Sequence, residues 1–256
     1  MPNGRWLLAA LILAMSTLFL AVACGGDGEE SGIATPTAGG SPTTSAITNE
    51  LQALAKEWEQ TVAKVSYDVT TTSGSTTDKS SITLYWRPPN WRVDISSSSQ
   101  GDDILIASAS ALYDCSAVSG TSQCVSYDPS QVDPSAPLEV FDPSAAATSL
   151  SGQNVDRSEQ TMLGESAKCF SVTSTADEST SKLEWCFASD SILLQFASTS
   201  DDPASSNLIV EATNVNRNVT DADFDFDPPY PVTPYVPPAS PTPTASQAPA
   251  SPTPVQ

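Results

Sequence analysis

Residues 81–95 read Ser-Ile-Thr-Leu-Tyr-Trp-Arg-Pro-Pro-Asn-Trp-Arg-Val-Asp-Ile. Ile82, Leu84 and Trp86 alternate with Thr83, Tyr85 and Arg87, the two-residue period of a strand buried on one face. Pro88 and Pro89 cannot donate to a sheet ladder and set a turn. Trp91, Val93 and Ile95 then restart the alternation. The stretch is a strand, a turn and a returning strand, so the surrounding chain is expected to be built from antiparallel hairpins.

The same period recurs outward in both directions. It marks Lys64–Ser73 before the motif, then Asp103–Ser108, Ala111–Val118 and Gln123–Tyr127 after it. Beyond a gap come Val155–Leu163, Lys168–Thr175, Ser181–Ala188, Ile192–Thr199 and Leu208–Val219. Ten or eleven short strands at this spacing predict one antiparallel sheet large enough to curl. Ahead of them, Leu51, Leu54, Ala55, Trp58 and Val62 recur at three- and four-residue spacing, which predicts a helix capped by Asn49 with Gln52 reciprocating. Pro134, Pro137 and Pro143 make 129–152 a loop, with a helical stretch over Ser144–Leu150.

Four cysteines fall in the strands. Cys115 and Cys124 are symmetric about Ser119-Gly120, and Cys169 and Cys186 about Asp177-Glu178. A turn at each centre places the two members opposite each other, at the close end of the disulfide range. Of the three possible pairings only 115–124 with 169–186 fits both turns. A four-thiolate metal site would need paired spacings of two to four residues, which are absent.

The ends of the chain are of another kind. Arg5 precedes an apolar run from Trp6 to Ala23, short for a bilayer span and placed where an export signal sits. It ends Leu20-Ala21-Val22-Ala23-Cys24-Gly25, which resembles the bacterial lipobox and predicts acylation of Cys24 after removal of residues 1–23. Residues 24–47 are rich in Gly, Ser, Thr and Pro and read as a tether. At the far end, 11 of the 21 prolines fall within 228–256, and 229–256 reads as a disordered, spacer-like Pro/Thr/Ser tail. An exported chain meets oxidising conditions, which suits the disulfides.

The protein carries 10 Lys+Arg, 30 Asp+Glu and no histidine, a net charge of −20. Residues 48–228 hold nine of the cations and 27 of the acids, so the anionic character belongs to the folded body. Such a charge argues against nucleic-acid binding and against lying on an anionic membrane without an anchor. The lack of histidine excludes Ser-His and Cys-His nucleophile pairs. No phosphate-binding loop is present, and no cofactor or metal is expected. In Asp221-Ala222-Asp223-Phe224-Asp225-Phe226-Asp227 the EF-hand glycine position is Phe226 and the closing acid is Val232, so calcium is not indicated. The alternation there instead predicts a final strand with Phe224 and Phe226 inward.

The order of elements, with the Leu84–Asp94 motif and the closing Val219–Phe224, resembles the outer-membrane lipoprotein carrier (LolA-like) superfamily over Thr48–Pro229. The resemblance implies an α+β fold that is mainly β. An incomplete antiparallel barrel of about eleven strands would wrap the N-terminal helix, and the domain would occupy 48–228. It further implies an apolar cavity and a membrane-anchored extracytoplasmic lipoprotein of the cell envelope, non-enzymatic, binding a lipid or other apolar ligand. The alternative is an envelope interaction or stress-sensor module contacting protein or cell-wall polymer. The candidate ligand residues are Trp86, Arg87, Trp91, Arg92, Trp185 and Phe187. The aromatic side chains could stack on a ligand or fill the core, and the arginines could hold a headgroup or pair with the many acids.

Overall fold

The structure, a computed structural model, describes residues 44–236 apart from 99–100, 109, 119–120, 131–132, 134 and 177–178. The signal segment, Cys24, the first part of the tether and 237–256 lie outside the described residues, as do the centres of the two cysteine-bearing turns. Helix α1 spans Thr44–Trp58. Strands β1 (Ala63–Ser73), β2 (Thr76–Arg87), β3 (Asn90–Ser97), β4 (Gly101–Ala107), β5 (Leu112–Val118) and β6 (Thr121–Tyr127) follow. Helix α2 (Pro143–Ser149) interrupts the strands, and β7 (Val155–Met162), β8 (Glu165–Ala176), β9 (Ser179–Ala188), β10 (Leu193–Ser200), β11 (Ser206–Asn216) and β12 (Val232–Pro234) complete the chain.

All twelve strands belong to one sheet in the order β12-β6-β5-β4-β3-β2-β1-β11-β10-β9-β8-β7. Two hairpin meanders, β1–β6 and β7–β11, are joined where β1 lies antiparallel to β11 over Lys64–Ser73. Strands β7 and β12 are the two edges, so the barrel is incomplete, as the resemblance implies. Both disulfides form between directly opposed residues, Cys115 with Cys124 and Cys169 with Cys186, at Cα separations of 3.9 and 4.0 Å. The β7–β8 turn places both Leu163 (φ 51°) and Gly164 (φ 78°) in the left-handed region, the backbone twist that a tight hairpin needs.

The pleat divides the sheet into two faces. Ala63, Val65, Tyr67 and Val69 of β1 are buried on the inner face, as are Leu84 and Trp86 of β2 and Trp91 and Val93 of β3. Phe170, Trp185, Phe196 and Val210 continue this face through β8–β11. Both helices lie against it and against each other. Ile47, Leu51, Leu54 and Trp58 form the buried stripe of α1. Pro143 opens α2, where the Asp142 carboxylate accepts from the Ser144 amide at 2.7 Å, a capped N-terminus.

Three expectations are corrected. The helix begins at Thr44, not at an Asn49 cap, because Ile47 extends the apolar stripe by one turn; the tether boundary at 47 moves with it. The helix ends at Trp58, and Val62 is 39 % exposed instead of lying on the buried face. Phe224 and Phe226 are not in a strand. Asp221–Asp223 forms a 3-10 turn in which Asp223 accepts from both the amide and the hydroxyl of Thr220. Beyond Pro228 the chain does not leave the body at once: Val232–Pro234 pairs in parallel with Cys124–Ser126. Ile47→Ala is expected to lower the unfolding free energy by about 2–4 kcal/mol in urea titrations, and Val62→Ala by less than about 0.5 kcal/mol. Equal effects would contradict the helix register.

Candidate functional site

The inner face under the helices is the best-formed interior. Trp58 of α1 stacks on Trp86 of β2 with ring centroids 4.4 Å apart and planes 8° apart. The Trp86 indole Nε1 donates to the Trp58 carbonyl at 2.9 Å. That bond satisfies the polar edge of a buried tryptophan and ties the helix C-terminus to the sheet. The Thr61 hydroxyl adds a second tie, donating to the Asp190 carbonyl in the β9–β10 turn at 2.8 Å. Further along, Phe141 of the α2 segment lies 5.0 Å from the Tyr67 ring, and Trp185 lies 5.0 Å from Phe196.

Four buried side-chain polar atoms have no partner among the described residues: the Tyr67 hydroxyl and the Trp185 indole Nε1 on the inner face, the Ser191 hydroxyl in the β9–β10 turn, and Asn90 Oδ1 at the start of β3. Tyr67 is 1 % and Trp185 5 % exposed. Burial pushes the Tyr67 hydroxyl well above the ordinary phenol range, so it stays a neutral donor. Around them the inner face is apolar. Ile82, Ile95, Leu105 and Leu183 form a half-buried fringe packed against the core.

The six residues singled out in the sequence do not form one cluster. Trp86, Trp91, Trp185 and Phe187 lie on the inner face, buried in the core. Arg87 and Arg92 lie on the opposite, outer face because each follows an inward tryptophan, and successive residues of a strand alternate. Arg87 Nη2 meets Asp221 at 2.6 Å, and its guanidinium lies over the Phe224 ring at 5.4 Å. Arg92 Nε donates to Asp94 Oδ1 at 2.6 Å, and Nη1 to the Asp225 carbonyl at 3.1 Å. Burial works most strongly against the Arg92 charge, but the bond to Asp94 and the attraction of Asp94, Tyr85 and Asp225 together outweigh it and hold the guanidinium above its ordinary range. The arginines therefore pair with acids, one of the two uses open to them.

In the sequence Tyr67 and Phe141 read as an ordinary alternating aromatic and an ordinary loop aromatic, with nothing to mark their contact. Their placement follows from which residues α2 covers, information that hydrophobic period alone does not carry. A second unforeseen group anchors α1 over β7 and β8. Arg157 Nε donates to Glu50 Oε2 at 2.8 Å, Lys168 Nζ meets Glu50 Oε1 at 2.8 Å, and Arg157 also reaches Glu159 at 3.0 Å. The bond from Arg157 chiefly, with Lys168 adding to it against a partial desolvation penalty, holds the Glu50 carboxyl below its usual range.

Two shallow depressions lie away from this interior. One of about 310 Å³ is lined by Asp68, Thr70, Lys79, Ser81 and Ser96 of β1–β3, and the other of about 190 Å³ borders the β7–β8 turn. Among the described residues no three Asp, Glu, Cys or His side chains are placed to share a metal ion, and no helix is long and apolar enough to cross a membrane.

No family model matches the chain, and no curated protein matches it. Solved structures with a similar fold include LprF from Mycobacterium bovis, 17 % identical, covering 71 % of this chain and 97 % of that one at a TM-score of 0.41. The Mycobacterium tuberculosis lipoprotein LppX is 12 % identical over 68 % and 98 % of the two chains, TM-score 0.40. A LolA superfamily protein of Nitrosomonas europaea is 10 % identical over 68 % and 97 %, TM-score 0.33.

The Glu50 cluster gives a pH test. A carboxylate with a lowered folded pKa contributes stability above its unfolded value of about 4.3, and that stability is lost as the pH falls through the folded pKa. Glu50→Gln is expected to cost about 1 kcal/mol at pH 7. The gap to the wild type should narrow as urea titrations are carried down through pH 4 and below. A gap independent of pH would contradict an ionic role.

Proposed function

We propose that the chain is a non-enzymatic, acyl-anchored extracytoplasmic protein that holds a lipid or other apolar ligand between the inner face of the sheet and α1/α2. The observation that carries this reading is the pair of buried donors without partners, Tyr67 and Trp185. Each such group costs about 1–3 kcal/mol when left unsatisfied. A ligand whose apolar body follows the inner face and whose ester or carboxyl oxygens accept from these donors removes that cost. The half-buried fringe of Ile82, Ile95, Leu105 and Leu183 offers the apolar margin along which such a body would enter.

In this reading the α2 segment is the movable cover. It lies against Tyr67 through Phe141 and follows the long connection from β6, whereas α1 is fixed by the Trp58–Trp86 stack and by Glu50. Element motions of this kind draw on the less stable parts of a fold. Diacylglyceryl modification of Cys24 would hold the body at the membrane, two acyl chains being enough for stable anchoring. The acidic body would then stand off an anionic surface instead of lying on it.

Without ligand, Tyr67→Phe is expected to be close to neutral in stability, because it removes an unsatisfied donor, whereas Trp185→Phe also leaves a void beside Phe196 and is expected to cost about 1–3 kcal/mol. Both are expected to weaken uptake of a fluorescent fatty acid several-fold. Strong destabilisation with unchanged uptake would show that these groups serve the core alone. The anchor has its own test. Cys24→Ala should release the protein from the membrane fraction, and retention of the variant there would refute acylation at that residue.

A further inference from the structure

The outer face of the sheet is covered by the chain's own C-terminal segment. Lys64, Tyr85, Arg92, Ile106 and Tyr113 stand in one row across β1–β5, each directly paired with the next. Lys64 Nζ lies 4.8 Å above the Tyr85 ring, and the Arg92 guanidinium lies 5.4 Å from the same ring. After β11 the chain runs back over this row. Arg217, bonded to Asp190 and to Glu165 at 2.7 Å, fixes the start. Asp221 then meets Arg87, and the Asp225 carbonyl accepts from Arg92. At the sheet edge the Pro231 carbonyl accepts from the Cys124 amide at 2.9 Å and the Tyr235 amide donates to the Ser126 carbonyl at 2.9 Å; the segment ends by wrapping that edge, where the Tyr235 ring rests 5.0 Å from Tyr127, which shares the inner face with Leu112. Crossing from β11 to β6 spans six strand spacings, about 29 Å, well within the reach of fifteen residues.

This segment is attached in an unusual way. From Thr213 to Val236 no residue is buried, whereas Ile106, Cys115 and Cys124 on the face it crosses are 0 % exposed. It covers without becoming core. Its grip consists of exposed ion pairs, a cation–π contact and three residues of parallel pairing, a set typical of locally unstable elements. Chemically it is an acidic–aromatic peptide, Asp221-Ala222-Asp223-Phe224-Asp225-Phe226-Asp227 followed by Pro-Pro-Tyr-Pro. It lies over Lys64, Arg87 and Arg92, three of the nine cations of an otherwise strongly acidic body. Basic and aromatic groups beside the β6 edge, which the segment itself extends through β12, match the mode by which sheets add an extended peptide.

We propose that the outer face of β1–β6, with the β6 edge, is a docking site for an extended acidic–aromatic peptide, occupied in cis by the detachable segment Arg217–Val236. The site lies on the opposite side of the sheet from the ligand interior and does not depend on that reading. A partner strand of the same chemistry competes with the segment.

The test uses the full chain. Asp221→Lys with Phe224→Ala loosens the segment, and amide exchange at Cys124 and Tyr235 should then rise at least tenfold by NMR while near-ultraviolet dichroism is unchanged. A fluorescein-labelled peptide of residues 217–236 should bind this variant at least tenfold more tightly than the wild type. Binding should weaken with salt and disappear when Arg87→Ala and Arg92→Ala are added. A folded variant that exchanges faster yet takes up no peptide overturns the proposal, as does peptide binding indifferent to the two arginines. Global unfolding of the loosened variant would make the segment integral to the fold, and dimers detected by light scattering would assign the face to a second copy; either result also overturns it.

Discussion

The pairing of β1 with β11 is the constraint on which the rest of the molecule depends. It joins residues near 64–73 to residues near 206–216, the most distant antiparallel pairing in the sheet, and turns two locally formed meanders into one curved surface. Without it there is no common inner face for α1 and α2 to cover, and Tyr67 of β1 does not stand in the same layer as Phe196 and Trp185 of β10 and β9. Long loops must be closed before such contacts form. The Trp58–Trp86 stack and the Thr61–Asp190 bond then act from both sides of the join. Trp86 lies on the β2 neighbour of β1, and Asp190 lies in the turn of the other meander.

The two faces are used differently. The inner face is apolar and helix-covered, and it keeps two donors without partners. The outer face carries much of the charge, both disulfides and the C-terminal segment. Each hairpin disulfide joins residues already opposed in the ladder, so it reinforces a register that the alternation had set. Closing loops of this size stabilises by about 3 kcal/mol on the chain-entropy estimate. One thin sheet can thus support separate interactions on its two sides.

Much of this architecture was legible from period alone. The alternation around Leu84 and Trp91, and the symmetric spacing of the cysteines, lead directly to the hairpins and the disulfides. Boundaries were less legible. Ile47 reads as tether because its neighbours are Ser and Thr, although it completes the stripe with Leu51. The left-handed Leu163 lacks the Asn-Gly or Asp-Gly signature by which such a turn is read. The largest discrepancy concerns 221–236. Alternating Asp and Phe resembles a strand, and proline density resembles a spacer, yet the segment crosses the sheet and joins its edge. Its path is set by Arg87, Arg92 and the β6 edge that β12 joins, partners more than a hundred residues away. No local pattern encodes them. For the same reason the six candidate residues divided between faces: sequence adjacency of Trp86 with Arg87, and of Trp91 with Arg92, places them apart in a strand.

The central claim is that the interior accepts an apolar molecule whose oxygens satisfy Tyr67 and Trp185. Native mass spectrometry of the full chain, extracted from membranes of its producing cells, tests it most directly. The account predicts a population heavier than the acylated protein by a discrete apolar ligand, lost on denaturation and depleted in the Tyr67→Phe, Trp185→Phe double variant. A single species at the mass of the acylated chain, in wild type and variant alike and after incubation with fatty acid, would contradict it.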